Sequence, residues 1–198
     1  MSDEEKNKAR YFYKRGGIYN EKGLYQEALE ELTKAIELDS NNSFYYCKRG
    51  IAFGELGDYE NALSDFNMAI ILDSACANAY NNRGVVYHNQ DHLDKAINDY
   101  CAAITIDPEV SLFYINRAQV YFQQEKYTEA LADSSIAIKF DSKNAAAYSL
   151  RGEIYFNLDH ASKALANFEQ ALSLDPNDII SYANYAVLKN VSGDNKVE

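Results

Sequence analysis

Residues 43–76 read SFYYCKRGIAFGELGDYENALSDFNMAIILDSAC, and their pattern returns in residues 77–110, ANAYNNRGVVYHNQDHLDKAINDYCAAITIDPEV. In each stretch an aromatic residue (Tyr46, Tyr80), a glycine (Gly50, Gly84) and a second aromatic (Phe53, Tyr87) follow at spacings of four and three, which places them on one face of a helix. Gly57 then marks a helix end, because glycine adopts the left-handed conformation there without penalty. Leu63, Phe66, Ala69 and Ile70 form the apolar stripe of a second helix. One helix–turn–helix therefore occupies 34 residues.

The same period runs outward in both directions. Ala28, Ala62, Ala96, Ala130 and Ala164 recur at intervals of 34, and Ala35, Ala69, Ala103, Ala137 and Ala171 follow each of them seven residues later. Counting units from Ala9, Ser43, Ala77, Ser111, Ala145 and Ile179, the fourth place is always aromatic: Phe12, Tyr46, Tyr80, Tyr114, Tyr148, Tyr182. The eighth is small (Gly16, Gly50, Gly84, Ala118, Gly152) and the eleventh aromatic (Tyr19, Phe53, Tyr87, Tyr121, Tyr155). Ile106-Asp107-Pro108 and Leu174-Asp175-Pro176 close second helices, since proline blocks continuation.

This pattern resembles the tetratricopeptide repeat from residue 9 to about 191, with Tyr or Phe where that family often carries Trp. The resemblance implies an all-α, right-handed superhelix of five helix-turn-helix repeats, 9–42, 43–76, 77–110, 111–144 and 145–178, after a charged lead-in at 1–8. Residues 179–191 then form a capping helix or the first helix of a sixth unit, and 192–198 a tail. A single hairpin cannot bury its own apolar face, so stability comes from stacking.

The net charge of −11 lacks the positive surplus that wrapping a phosphate backbone requires, so nucleic acid is not the expected partner. No apolar run approaches a membrane span or a signal segment, and Cys47, Cys76 and Cys101 show neither a disulfide framework nor zinc-type spacing. A reducing cytoplasm is the expected location, with no membrane insertion.

The resemblance further implies that the first helices line a groove that holds a peptide or helix of a partner protein. Groove positions are then the second, fifth, sixth, ninth, twelfth and thirteenth of each unit. The N-terminal portion carries Arg10, Tyr13, Lys14, Phe44, Cys47, Lys48 and Ile51; the middle carries Asn78, Asn81, Asn82, Val85, His88, Ile115, Asn116, Gln119 and Phe122, followed by Phe156. Side-chain amides can both donate to and accept from the backbone of an extended peptide, whatever its sequence. The groove is expected to centre on Asn82, Asn116 and Phe122. The Lys, Asn and Arg clamp with which some relatives grip chaperone carboxylates is not present: of the matching positions, Asn116 alone falls in place among Asn81, Val85, Asn116, Ala146 and Leu150.

Arg15, Arg49, Arg83, Arg117 and Arg151 occupy the seventh place of each unit, opposite Glu31, Asp65, Asp99, Asp133 and Asn167 at the twenty-third. Bidentate pairing within each hairpin is expected, rather than an anion-binding ladder. His88 and His92 are four apart, a zinc spacing only if both share a helix, and His92 falls in a turn. No nucleophile–base set, phosphate loop or metal cluster is legible, so neither an enzyme nor a cofactor is expected. Self-association through Tyr182, Tyr185 and Val187 is the alternative to groove binding.

Overall fold

In a computed structural model of the protein, described over residues 2–194 and for side chains over 2–190, every regular element is a helix among the described residues. They are α1 (Asp3–Glu21), α2 (Tyr25–Leu38), α3 (Ser43–Glu55), α4 (Tyr59–Leu72), α5 (Ala77–Asn89), α6 (Leu93–Ile106), α7 (Ser111–Gln123), α8 (Tyr127–Phe140), α9 (Ala145–Asn157), α10 (Ala161–Leu174) and α11 (Ile179–Asp194). They divide into two compact units, Met1–Pro108 with α1–α6 and Glu109–Glu198 with α7–α11. In the first, α1·α2, α3·α4 and α5·α6 pack as hairpins, and α3 also touches α1 and α5. The second repeats the scheme with α7·α8 and α9·α10, and α11 packs on both α9 and α10.

Two ends differ from the sequence reading. The charged lead-in is the beginning of α1: Ser2 accepts from the Glu5 amide (3.2 Å), and the Glu5 carboxylate accepts from the Ser2 amide (2.7 Å). This reciprocal cap satisfies two of the orphan donors at the helix start. At the other end α11 continues past Val191 to Asp194, so residues 192–194 of the expected tail are helical. Its remainder, 195–198, lies outside the described residues.

The hairpin turns show why their glycines are needed in two units and dispensable in three. Gly23 (φ 71°) and Gly57 (φ 78°) occupy the left-handed region, but Asp91, Glu125 and Asp159 hold the same place at φ 60°, 58° and 57°. Each turn ties its amide back into the preceding helix, as in Leu24 N to Tyr19 O (2.9 Å), Asp58 N to Phe53 O (2.9 Å) and His92 N to Tyr87 O (2.8 Å). That bond helps hold a conformation costing a non-glycine residue about 1–2 kcal/mol. Between hairpins, Asp39, Asp73, Asp141 and Asp175 end their helices in extended conformation and accept the amide two residues on, at 3.0–3.3 Å.

The alanine columns are the core. Ala28, Ala62, Ala96, Ala130 and Ala164 are 0% exposed, as are Ala35, Ala69, Ala103, Ala137 and Ala171. A small eighth residue admits a large one from the facing helix: Leu32 lies over Gly16, Phe66 over Gly50, Tyr100 over Gly84 and Phe168 over Gly152. Burying each such side chain is worth about 1.5–3 kcal/mol. Tyr100 differs from its counterparts in carrying a hydroxyl, which is buried without a hydrogen-bond partner. Burial, then the neighbouring Asp99 charge, pushes its pKa above the ordinary phenol value. Tyr100→Phe removes that unsatisfied group and leaves a ring of the kind Phe66 and Phe168 already place there. It is expected to raise the unfolding free energy by about 1 kcal/mol in urea titrations.

Candidate binding groove

Three pockets lie in a row along the first unit, joined by shared walls. The first, about 500 Å³, is lined by Lys6, Arg10, Lys14, Tyr13, Phe44 and Tyr45 among others. The second, about 230 Å³, shares Tyr13 and Phe44 and adds Cys47, Lys48, Ile51, Cys76, Asn78 and Asn82. The third, about 280 Å³, shares Ile51 and Asn82 and continues to Tyr59, Val85 and Asn89. Lys14, Lys48, Ile51, Asn78, Asn82 and Val85 thus line one continuous depression, whose first pocket has a cationic wall and whose others join apolar side chains to amides.

Other sequence-assigned residues do not line this row. Asn81 is 3% exposed and its amide donates to Asn82 Oδ1 (3.3 Å), so it supports Asn82 rather than facing outward. His88 is half-buried and lines none of the three pockets. Asn20, at the twelfth place of the first repeat, donates to the Lys48 carbonyl (2.9 Å) and so ties α1 to α3. His92 sits at the N-cap position of α6, off α5, without a side-chain capping bond, and stands edge-on to Tyr87.

In the second unit a pocket of about 260 Å³ takes Ile115 and Gln119 with Ser149, Leu150, Glu153, Asp175, Asp178 and Ile180. Ile115 is 7% exposed and belongs to its floor. Asn116, Phe122 and Phe156 are half-buried and outside the pocket; Phe122 packs its ring on Tyr127 of the facing helix at 5.9 Å. Burial, then the Asp178 charge, raises the Glu153 carboxyl above its ordinary range. Glu153 holds a ninth place, so the repeat register already points to it, whereas Asp175 and Asp178 lie between helices, outside the first-helix register.

The arginine column is built into the scaffold. Nε and Nη2 donate to both carboxylate oxygens of the partner: Arg49 to Asp65 at 2.8 and 2.9 Å, Arg83 to Asp99 at 2.8 and 2.7 Å, Arg117 to Asp133 at 2.7 and 2.8 Å. Arg151 donates to Asn167 Oδ1 at 2.8 Å. The first repeat departs from the rule, since Arg15 turns to Tyr19 and Tyr11, and Glu31 takes Lys34 at 2.8 Å, with Arg15 at 3.4 Å. A third link has no signature in the repeat: Nη1 of Arg49, Arg83 and Arg151 reaches back to Thr33, Asn67 and Ser135 of the preceding hairpin. The fourth-place aromatics serve as cation platforms, with Arg49, Arg83, Arg117 and Arg151 at 5.4–5.9 Å from the rings of Tyr46, Tyr80, Tyr114 and Tyr148.

Family models agree with this architecture. The model described as TPR repeat matches residues 16–57, 53–91 and 118–159, and models described as Tetratricopeptide repeat match 77–110 and 145–178. The chain belongs to the tetratricopeptide repeat family. Its fold is similar to that of PilF of Pseudomonas aeruginosa, at TM-score 0.88 and 18% identity over 98% of this chain and 88% of that one. It is also similar to a chain of the APC/C Cut9–Hcn1 hetero-tetramer, at TM-score 0.84 and 16% identity over 91% of this chain but only 36% of that longer one. YrrB, described as a TPR protein with an unusual peptide-binding site, aligns at TM-score 0.66 and 18% identity over 87% of this chain and 89% of its own. No curated protein matches the chain by sequence. No helix among the described residues is long and apolar enough to cross a membrane.

Proposed function

We propose that the protein is a non-enzymatic interaction module that holds an extended segment of a partner protein along the first unit's row of pockets. The observation that carries this reading is the shared lining: Tyr13 and Phe44 join the first pocket to the second, and Ile51 and Asn82 join the second to the third. An extended chain puts alternate side chains on one side, and successive pockets separated by amide-bearing walls suit that spacing. Asn78 and Asn82 supply donors and acceptors for its backbone, while Lys6, Arg10 and Lys14 favour an acidic residue at the first pocket. YrrB, whose description names a peptide-binding site, supports the reading by analogy of fold.

Selection of random peptides displayed against the full chain is expected to enrich sequences that alternate apolar residues and carry an acidic end. Asn82→Ala with Ile51→Asp is expected to weaken the selected peptide about tenfold or more, measured by fluorescence anisotropy. Enrichment of no sequence, or unchanged affinity in the variant, removes the groove reading.

A specific feature favours self-association as the second reading. On α11, Ile179, Ile180, Tyr182 and Val187 are 81%, 54%, 65% and 51% exposed, an apolar face of the kind that marks contact surfaces. Tyr185 is already engaged within the chain, donating to Glu169 at 3.1 Å. Light scattering on the same samples separates the readings, because a mass independent of concentration leaves this face unpaired.

A further inference from the structure

The outer face of α1 has the form of a stacking surface. Further along the chain a second helix packs on the first helix of the next repeat, as α2 does on α3, α4 on α5 and α8 on α9. The third and tenth places of those first helices are buried: Tyr45 and Ala52, Ala79 and Val86, Ala147 and Ile154 are at most 5% exposed. In α1 the same places hold Tyr11 and Ile18, which are 56% and 49% exposed.

The rung beside this face is incomplete as well. Arg49, Arg83 and Arg151 each place Nη1 on a hydroxyl or amide oxygen of the preceding second helix, whereas Arg15 Nη1 turns to the Tyr11 hydroxyl at 3.5 Å. Glu31, 5% exposed, has an Oε2 that no hydrogen bond satisfies, with Arg15 Nη1 3.4 Å away. A buried carboxylate oxygen without a donor is costly and calls for an explanation.

Charge says what kind of helix suits the face. Lys8, Tyr11, Arg15, Ile18 and Lys22 follow at spacings of three and four, so they form one stripe. Its two lysines are particular to α1, since the equivalent places hold Asn42 and Leu56 in the second repeat, Cys76 and Gln90 in the third, and Asn144 and Leu158 in the fifth. Solubility at the end of a stack calls for a polar outer face, yet here the apolar pair stays, set between cations on a chain of net charge −11.

We propose that this stripe docks an acidic amphipathic helix of a partner protein, seated as α2 is seated on α3. α2 shows the chemistry required. It joins Ile36 to Tyr45 in one buried cluster and Leu32 to Ala52 in another, and its Thr33 hydroxyl accepts from Arg49 at 3.2 Å. Over residues 25–38 it carries four glutamates against one lysine. The partner's apolar residues cover Tyr11 and Ile18, a hydroxyl or amide between them accepts from Arg15 Nη1, and flanking carboxylates meet Lys8 and Lys22. With that acceptor in place the guanidinium leaves Tyr11 and closes on Glu31, giving the buried Oε2 its donor. The stripe is separate from the proposed groove, to which α1 presents Arg10, Tyr13 and Lys14. A second copy of the chain is a poorer occupant, because its α2, α4, α8 and α10 are each packed on the next first helix, and α1 against α1 opposes like charges.

The test titrates the full chain into a labelled synthetic peptide with the sequence of residues 25–38, cross-linked between places 26 and 30, both exposed on α2, to hold so short a helix together. Fluorescence anisotropy is expected to show saturable binding that weakens about tenfold or more with Ile18→Asp. Lys8→Glu with Lys22→Glu is expected to weaken it severalfold, and added salt to weaken it in the wild type. The groove variant, Asn82→Ala with Ile51→Asp, is expected to bind the helix unchanged, so this proposal and the groove reading fail separately. No saturable binding up to about 1 mM, unchanged affinity in either α1 variant, or loss of binding in the groove variant overturns the proposal. So does a wild-type mass that rises with concentration and no longer does so in Ile18→Asp, which assigns the face to a second copy.

Discussion

Arg49→Ala is expected to lower the unfolding free energy by about 3–5 kcal/mol, because it strands a buried carboxylate. Asp65 is 4% exposed and receives both its strong hydrogen bonds from Arg49 Nε and Nη2. The substitution also removes the bond from Nη1 to Thr33 (3.2 Å), and with it a link between successive hairpins. The loss should depend on pH. In the intact protein burial raises the Asp65 pKa while Arg49 opposes the rise, so without Arg49 it climbs further. A carboxyl whose folded pKa exceeds its unfolded value of about 4 takes up a proton more readily when folded. Its favourable contribution is complete below the unfolded value and disappears as pH rises through the folded one. The deficit of Arg49→Ala is therefore largest at neutral pH and shrinks toward pH 4, as urea titrations across that range would show. Arg49→Met with Asp65→Leu should recover most of it, since a buried pair replaced by apolar groups leaves no charge behind. Arg15→Ala is the control: Arg15 is 41% exposed, Glu31 keeps Lys34, and the expected change is below about 1 kcal/mol. Equal losses for Arg15 and Arg49 would mean that the bidentate geometry is not what stabilises the rung.

The rung was legible because Arg49 and Asp65 recur at one spacing in successive units, and a side chain that repeats with its partner advertises the contact. Its third link was not, because the accepting residue is Thr33 in one hairpin, Asn67 in the next and Ser135 further on, with no shared residue type. The groove divides in the same way. The second, sixth and ninth places contain the exposed Asn78, the half-buried Asn82 and the pocket-lining Ile51 and Val85, as a helical wheel suggests. The fifth does not follow the wheel: Cys47, Asn81, Ile115 and Ser149 are all buried, at 3–7% exposed. A fifth-place residue is about 100° from its sixth-place neighbour, and the stacking of successive hairpins decides which of the two reaches solvent. Stacking is a tertiary quantity that the period of one helix cannot supply. The start of α1 was missed for a simpler reason: Ser2 and Glu5 carry a capping signature but lie outside the repeat, so periodicity says nothing about them.

Exchanging the fourth repeat's packing pair into the fifth should separate steric fit from residue propensity. A Cβ added at Gly152 would sit 2.6 and 2.7 Å from ring carbons of Phe168, which is 0% exposed and has nowhere to swing. Alanine improves helix propensity by about 1 kcal/mol, but overpacking of this severity costs about 1–3 kcal/mol. Gly152→Ala is therefore expected to destabilise by up to about 2 kcal/mol net. Phe168→Ser alone removes a filled ring and should cost about 3–5 kcal/mol. The fourth repeat already carries the matched combination, Ala118 with Ser134, both 0% exposed, and there the serine hydroxyl donates to the Leu131 carbonyl at 3.2 Å. With both substitutions present, the new methyl group occupies part of the space the ring vacates. The double variant should be less destabilised than the sum of the single ones by about 1–2 kcal/mol, a coupling that only contact explains. Gly17→Ala supplies the opposite sign: a Cβ there meets nothing within 4 Å, so propensity acts alone and stability rises by about 0.5–1 kcal/mol. If Gly152→Ala stabilised as Gly17→Ala does, or the double variant showed simple additivity, the eighth-place small residue would be a matter of helix propensity rather than of room for the facing ring.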